Sequence, residues 1–412
     1  MLTSQSQNKI LFIMRKLFFS LLLLLSTLAL HGQQYRFPEF LEKVRANAPR
    51  IQLLQARMEA DQAAAHAENR LDDPEVSFRY MWGSPKDEVD DEKDLIVSQS
   101  FDFPTAYLHR SQVKRHDIRN AQVQYQAACH DVLLQAMQLV IELCYNDTLL
   151  ALAQQQDAMS HEFLEAEKVS LNEGATSVHQ FNEAQRMHMS SYHAVNQLQA
   201  EREALLAEFQ AICGFAYKAH TIDVLAIEEA IIATKDQTFD RWWNEVAASS
   251  PEMQLVDNAV TRAQLGVKVA RDGWLPKFSV GYEQELSEDI ALRGVSVGMS
   301  IPLWSNGGKV KAARRALEVA QLEAEDQKLT FYTRLQGLFL KTLSKIDSAR
   351  EFRSLLSTQN NEDLLSRTLN EGLITRPDYL EGMIGMIDVK KEALEQEKDA
   401  LLLWAELNSV RY

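Results

Sequence analysis

Glycine and proline are scarce, with 15 and 9 among 412 residues. A chain with so few turn formers is not assembled from many short elements. Ala, Leu, Gln and Glu fill its middle stretches, and that mixture favours long helices. Cysteine is nearly absent: Cys129, Cys144 and Cys213 are too few for a disulfide scaffold. Cys129 and Cys144 lie fifteen residues apart on one helical pattern, so they cannot pair within a straight helix. Cys213 reaches either one only if two helices pack antiparallel in register, and three buried thiols is the simpler reading. Histidine is missing from the second half, because all ten lie at or before His220. His188 and His193 are five apart, and His109 and His116 seven apart. Neither spacing is the i,i+4 of a helical zinc pair.

Positive charge is also short. The 43 Lys and Arg against 58 Asp and Glu leave a net −15 and a pI near 5.2. That balance argues against a nucleic-acid partner, which needs a basic footprint. There is no nucleophile elbow, HExxH, P-loop or dinucleotide fingerprint. The expectation is therefore no enzyme, no cofactor, no catalytic residue and no metal ligand set, with any energy supplied by a partner. The acidic stretch GSPKDEVDDEKD (83–94) lacks the ligand spacing of a calcium loop around a glycine and reads as a solvated loop.

Only one stretch is strongly apolar. Arg15 and Lys16 precede the run from Leu17 to Leu30, and His31-Gly32-Gln33 follow. This is the pattern of a signal peptide over 1–32, with Met14 as an alternative start and cleavage expected near Gly32. No cysteine stands at the exit for lipid attachment. No other stretch reaches 18 consecutive apolar residues, so no helical membrane anchor is expected.

What the chain does have is a long-period repeat. LNEG occurs at 171–174 and again at 369–372, an offset of 198. ANAPRIQLL (46–54) matches ASSPEMQLV (248–256), and LDDPEVSFRY (71–80) matches GWLPKFSVGY (273–282), both at an offset of 202. VSQSFDFP (97–104) matches VGMSIPLW (297–304) at 200. Landmarks in one order with drifting offsets indicate a duplicated half, since solenoid units repeat every 20–50 residues or so. The halves are 33–213 and 239–412, joined by a connector over 214–238.

Each half predicts a helix (38–71; 239–272), then two strands, a very long helical tract (106–171; 309–369), a tip and a returning helix (178–212; 377–409). The strands are expected at 74–82, 95–103, 277–284 and 294–303. Their period of two puts Val76, Phe78, Tyr80 and Trp82 on one face, then Val97, Phe101 and Phe103, then Phe278, Val280 and Tyr282, then Val295, Val297, Met299 and Ile301. Gln99 is the misfit on the apolar side. Helical tracts of roughly 60–65 residues would extend on the order of 90–100 Å. Gly174 and Gly372 end them, because glycine takes positive φ without a Cβ clash. Thr176 or Ser177, and Thr375, then offer N-caps, and Pro377 fits a first helical turn. The tips (171–177; 369–376) therefore join antiparallel helices.

Four strands per chain cannot close a membrane barrel, which needs at least eight. Two, three or four chains would supply 8, 12 or 16. At this point the sequence resembles the TolC family of outer-membrane efflux factors. The residues that carry the likeness are SIPLWSNGGKVKAARRALEVAQLEAE (300–325), DPEVSF (73–78), VSQSFDFP (97–104) and the twin tips with Phe181 and Tyr379-Leu380 behind them. The resemblance implies a mainly α protein with a small β part. Duplicated helical hairpins would form a periplasmic α-barrel, and a homotrimer would share a 12-stranded transmembrane β-barrel in outer-membrane lipid. It also implies a periplasmic adaptor and an inner-membrane transporter as partners. DPEVSF, VSQSFDFP and RPDYL look most like the heavy-metal branch (cobalt–zinc–cadmium, copper–silver), which works with proton-driven pumps.

In that family the tip closes as an iris, with an acidic residue six positions after the tip glycine. Asp378 holds that place after Gly372, whereas Gln180 holds it after Gly174, so half of the acidic set is missing. Arg376 stands two places from the usual arginine position, which is Ile374 here. Arg376 and Asp378 are either a cross-seam pair or ordinary helix-start residues. Gly174 and Gly372 are candidate hinges, and His179 is placed to face a passing metal ion. Drug efflux or type I protein secretion by the same duct stays open, as does a periplasmic coiled-coil scaffold, which would lack the alternating strands.

Overall fold

The computed structural model describes residues 37–67, 69–83, 91–217, 238–247, 249–287, 291–358 and 361–411. The proposed signal peptide, most of the connector and most of the acidic loop lie outside the described residues. In chain order the elements are α1 (Phe37–Asn47), α2 (Pro49–Ala67), β1 (Glu75–Met81), β2 (Glu92–Phe101), α3 (Pro104–Asn172) and α4 (Val178–Cys213). There follow α5 (Phe239–Ala247), α6 (Pro251–Asp272), β3 (Lys277–Leu286), β4 (Ala291–Ser300), α7 (Lys309–Thr358), α8 (Asn361–Asn370) and α9 (Arg376–Asn408), with a 3-10 turn at Ser409–Arg411. The order helix, helix, strand, strand, long helix, returning helix thus occurs twice.

The opening helix of each half is broken where the sequence predicts one continuous run. Proline explains both breaks. Pro49 and Pro251 disfavour α geometry in the residue before them, yet sit well in a first helical turn. Ala48 leaves the first helix, and its carbonyl accepts from Ile51 at 3.1 Å to start the second. Ser250 does the same with its side chain, accepting from the Met253 amide at 3.4 Å. The first helical run also stops at Ala67 rather than at 71, before Asp72-Asp73-Pro74. In the second long tract α7 ends at Thr358 and α8 begins at Asn361, and the two positions between them lie outside the described residues.

The short leading helices carry the core. Phe40, Leu41 and Val44 of α1 pack with Leu133, Met137, Val140 and Leu143 of α3, Phe209 and Cys213 of α4, and Leu401 and Trp404 of α9. In the second half Trp242 and Val246 of α5 pack with Leu335, Leu338 and Phe339 of α7 and Leu407 of α9. Trp242 and Val246 stand 202 positions after Phe40 and Val44, the offset of the two prolines. All four side chains are essentially fully buried, and each large one stabilises the fold by about 1.5–3 kcal/mol. A window of α3 has the mean hydropathy (1.3) of a membrane span, but half of it is buried inside the protein. It is core, as its share of the first cluster requires. Cys129 and Cys213 are buried free thiols and Cys144 is a half-buried one. Burial pushes the Cys213 thiol up to about 12.

From this core the helices run out as two hairpins, α3 against α4 and α7–α8 against α9. At 1.5 Å per residue the 69-residue α3 is on the order of 100 Å long. Contacts between α9 and α3 join the hairpins. Among them, the Tyr145 hydroxyl donates to Glu397 at 3.5 Å, while Arg353 holds the other oxygen of that carboxylate.

The four strands form one antiparallel sheet in the order β1-β2-β3-β4. The strand windows are displaced from the expected ones: β2 spans 92–101 and β4 spans 291–300 rather than 95–103 and 294–303. Each begins three residues earlier than the hydrophobic alternation. Polar ends are still paired, because backbone ladder bonds do not depend on an apolar side chain.

Candidate functional site

Register fixes what the sheet offers. Val76 stands opposite Val97, Val97 opposite Tyr282, and Tyr282 opposite Val295. One row lower, Gln99 faces Val280 and Val280 faces Val297; below that, Phe101 faces Phe278 and Phe278 faces Met299. Directly opposed residues share a face, so the four apolar stripes merge into one. On this chain Val76, Phe78, Val295 and Val297 are each 65% exposed or more. The misfit has its reason here: the Gln99 amide donates to the Asp72 carbonyl at 2.6 Å, which satisfies it on the apolar side. The opposite face carries Ser77, Arg79, Asp94, Ser98, Ser279, Glu283, Ser296 and Ser300 with Gly281 and Gly298. Each glycine faces a serine, and a Cβ on either would come within 2.6 Å of that serine's Oγ.

Aromatic rings mark both ends of the apolar stripe. Tyr80 and Trp82 meet edge-on at 5.4 Å at the loop end. Phe103 and Phe278 lie 6.3 Å apart at the helix end, and Trp304, four residues after β4 ends, is 86% exposed. Strands of 10 residues in β2, β3 and β4 suit the roughly 9–11 that a tilted strand needs to cross a bilayer. Strands β1 and β4 each leave one edge unpaired within the chain.

Some 70 residues of helix away are the two tips, and they are built alike. Gly174 takes φ +71 and Gly372 φ +69. Ala175 donates to the Ser170 carbonyl (2.8 Å) and Gly174 to Leu171 (3.1 Å). Leu373 donates to Thr368 (2.9 Å) and Gly372 to Leu369 (3.0 Å). Both tips are Schellman motifs, so the orphan carbonyls of the ending helix are used. Each returning helix then opens with a capping box. Ser177 accepts from the Gln180 amide at 3.2 Å while its own amide donates to the Gln180 side chain at 3.1 Å. Thr375 accepts from the Asp378 amide at 3.3 Å and donates both its amide (3.1 Å) and its hydroxyl (2.6 Å) to the Asp378 carboxylate.

Gln180 and Asp378 are thus the same third helical position with the same capping duty. The Thr375 hydroxyl and amide hold the Asp378 carboxyl below the usual carboxylate range. Arg376, the first residue of α9, is exposed and has no ion pair among the described residues. His179 is exposed at the start of α4. Val178 and Leu373, 62% and 69% exposed, leave an apolar side chain uncovered at each tip.

His109 and His116, singled out in the sequence, are otherwise employed. His109 Nδ1 lies 2.6 Å from Asp272, which also accepts from Thr105, tying α3 to the end of α6. His116 contacts the neighbouring Asp117 at 3.1 Å. Sequence spacing missed a different pair. The rings of His161 and His188 lie 4.9 Å apart across the first hairpin, beside Asp157. They stand thirteen residues before and fourteen after Gly174. Reflection about the tip, rather than i,i+4 spacing, was the signal that could have found them.

No protein-family model and no curated protein matches the sequence. Solved structures do match. A membrane protein from Pseudomonas aeruginosa aligns with TM-score 0.73 and 11% identity over 91% of this chain and 89% of that one. The Vibrio cholerae outer membrane protein VceC gives 0.71 and 11% over 91% and 95%. CusC, described in terms of folding and transmembrane channel formation, gives 0.68 and 13% over 92% of both chains.

This is the TolC-type channel fold. In it a four-stranded sheet is one protomer's share of a trimeric β-barrel, and the long hairpins form a helical barrel.

Proposed function

We propose that the protein is the outer-membrane exit duct of a tripartite efflux system. It is a homotrimer whose 12 strands stand in outer-membrane lipid and whose helices extend into the periplasm, a passive route for heavy-metal cations. The observation that carries this reading is the continuous exposed apolar face of a sheet with two unpaired edges. A sheet of that kind is stable only when other copies close it and lipid covers it. A coiled-coil scaffold would have no use for such a face.

In this reading residues 1–32 direct export and are removed, and the mature chain is two duplicated halves. The tips are the gate. Gly174 and Gly372 serve as hinges, and His179, Gln180, Arg376 and Asp378 line the aperture between neighbouring hairpins. Arg376 is free to pair with a neighbour, whereas Asp378 meets one only with the charge left over from its cap. Val178 and Leu373 supply apolar contact for a periplasmic adaptor, which couples the duct to a proton-driven inner-membrane transporter. Neither catalysis nor a cofactor has a part in it.

The test is a deletion strain compared with its parent for growth and cell-associated metal in zinc, cobalt, cadmium, copper and silver, and for growth in dyes, detergents and antibiotics. Sensitivity to metals with raised cell-associated metal is the expected result. Sensitivity to dyes and drugs alone would transfer the duct to drug efflux. A second experiment addresses the gate: cysteines placed at neighbouring tips and oxidised should stop efflux, and unchanged efflux would remove the iris from LNEG.

A further inference from the structure

At the loop end of the polar face, carboxylate oxygens of Glu92, Asp94 and Glu285 all lie within 4.8 Å of one another. Asp94 and Glu285 are directly paired across β2 and β3, and Glu92 stands two residues before Asp94 on the same face. Asp94 is only 6% exposed. Its Oδ2 accepts from Arg79 Nε at 2.7 Å, but its Oδ1 has no hydrogen-bond partner among the described residues. A buried carboxylate oxygen without a partner costs free energy unless a cation or a donor completes it.

A recess of about 310 Å³ adjoins this cluster, lined by Asp94, Glu283 and Glu285 together with Arg79 and Arg293. Four carboxylates against two guanidinium groups leave two negative charges, which a divalent ion would neutralise. Two oxygens bound on opposite sides of a calcium ion at about 2.4 Å are themselves about 4.8 Å apart. All-oxygen donors of this hardness suit Ca²⁺ rather than a thiophilic or imidazole-seeking metal.

We propose that Glu92, Asp94 and Glu285 form a Ca²⁺ site at the outer mouth of the lumen, one per protomer. The ion replaces the missing partner of Asp94 Oδ1 and clamps β2 to β3 beside Arg79. The ligands come from two paired strands, which is why the spacing of a single calcium loop does not reveal them. The inference rests on the barrel reading of the sheet and not on the exported cargo.

Calorimetric titration of the assembled detergent-solubilised protein with CaCl₂ tests it. The expected result is saturable binding at one ion per chain, with an affinity in the 10⁻⁴–10⁻³ M range of extracellular modules. The double variant Glu92→Gln/Glu285→Gln keeps the Arg79–Asp94 pair and should bind at least tenfold more weakly while retaining the wild-type circular dichroism spectrum. Arg79→Gln removes a competing cation and should bind more tightly. Changing Asp87, Glu88 and Asp90 of the neighbouring loop to amides should leave binding unaltered. No saturable Ca²⁺ binding by the wild type, equal binding by the double variant, or loss of binding in the loop variant would each overturn the site. Metal susceptibility of cells does not enter these readouts, so failure here leaves the efflux reading standing.

Discussion

Asp378 and Gln180 occupy one position in two copies of the same turn, and capping is the first duty of that position. The difference between them is pH. Asp378 has its pKa lowered by the Thr375 hydroxyl and amide. A group depressed in the folded state contributes stability above its unfolded pKa, and that contribution is lost as pH falls through the folded value. The second tip should therefore loosen only at acid pH, below the usual carboxylate range, while the Gln180 tip does not respond. Hydrogen exchange of the Thr375, Arg376 and Asp378 amides, referenced to those of 177–180, measures this. Equal acid response at both tips would remove the carboxylate from the cap. Gly372→Ala places a Cβ at φ +69 with open space around it. It should cost about 1–2 kcal/mol, confined to the tip, seen as faster exchange over 369–376 with the helix cores unchanged. The turns were legible from LNEG and the Ser or Thr that follows it, because a glycine stop and an N-cap are written in adjacent residues, whereas the capping duty of Gln180 and Asp378 came only with the structure. The His161–His188 contact was not legible, because it belongs to the pairing of two helices.

Among the elements, the short leading helices α1 and α5 each seat a large aromatic side chain in a buried cluster. Phe40→Ala and Trp242→Ala should each destabilise by about 3–5 kcal/mol, measured as a shift in the denaturant midpoint of the assembled protein. Among the described glycines, Gly214 is the most tightly enclosed. It takes φ +75, and a Cβ there would meet the Asn47 carbonyl oxygen at 2.2 Å. Gly214→Ala should cost about 2–4 kcal/mol from strain and overpacking together, whereas Gly266→Ala, with nothing within 4 Å, should not destabilise. The sequence named both leading helical runs but read each as unbroken. Hydrophobic spacing continues through Ala48-Pro49 and Ser250-Pro251, and a proline in a first turn is compatible with a helix on either side. The break itself lies in the two prolines, which disfavour helical geometry in the residue before them, and hydrophobic spacing alone does not register it.

For the whole molecule the deciding quantity is the medium outside the sheet. Val297→Arg puts a charge on the apolar face and should cost about 2–4 kcal/mol near the bilayer midplane. Ser296→Arg, one residue away on the polar face, should assemble normally. Folding yield into lipid vesicles, read as heat-modifiable migration, separates the two, and equal yields would argue against lipid on that face. Period-two alternation fixes which side chains share a face, and it needs no more than a local pattern. Helix and strand identity, the caps and the twofold order of elements are local in the same sense, so the sequence by itself determined them. The merging of four stripes into one surface depends on the register between β2 and β3, which are joined through some 175 residues of helix and connector. The gathering of Glu92, Asp94 and Glu285 depends on that same register, and the seating of Phe40 and Trp242 depends on how α1 and α5 pack against the long helices. Those were decided by tertiary structure, because contacts between distant segments are chosen by how whole elements pack and not by any pattern within one of them.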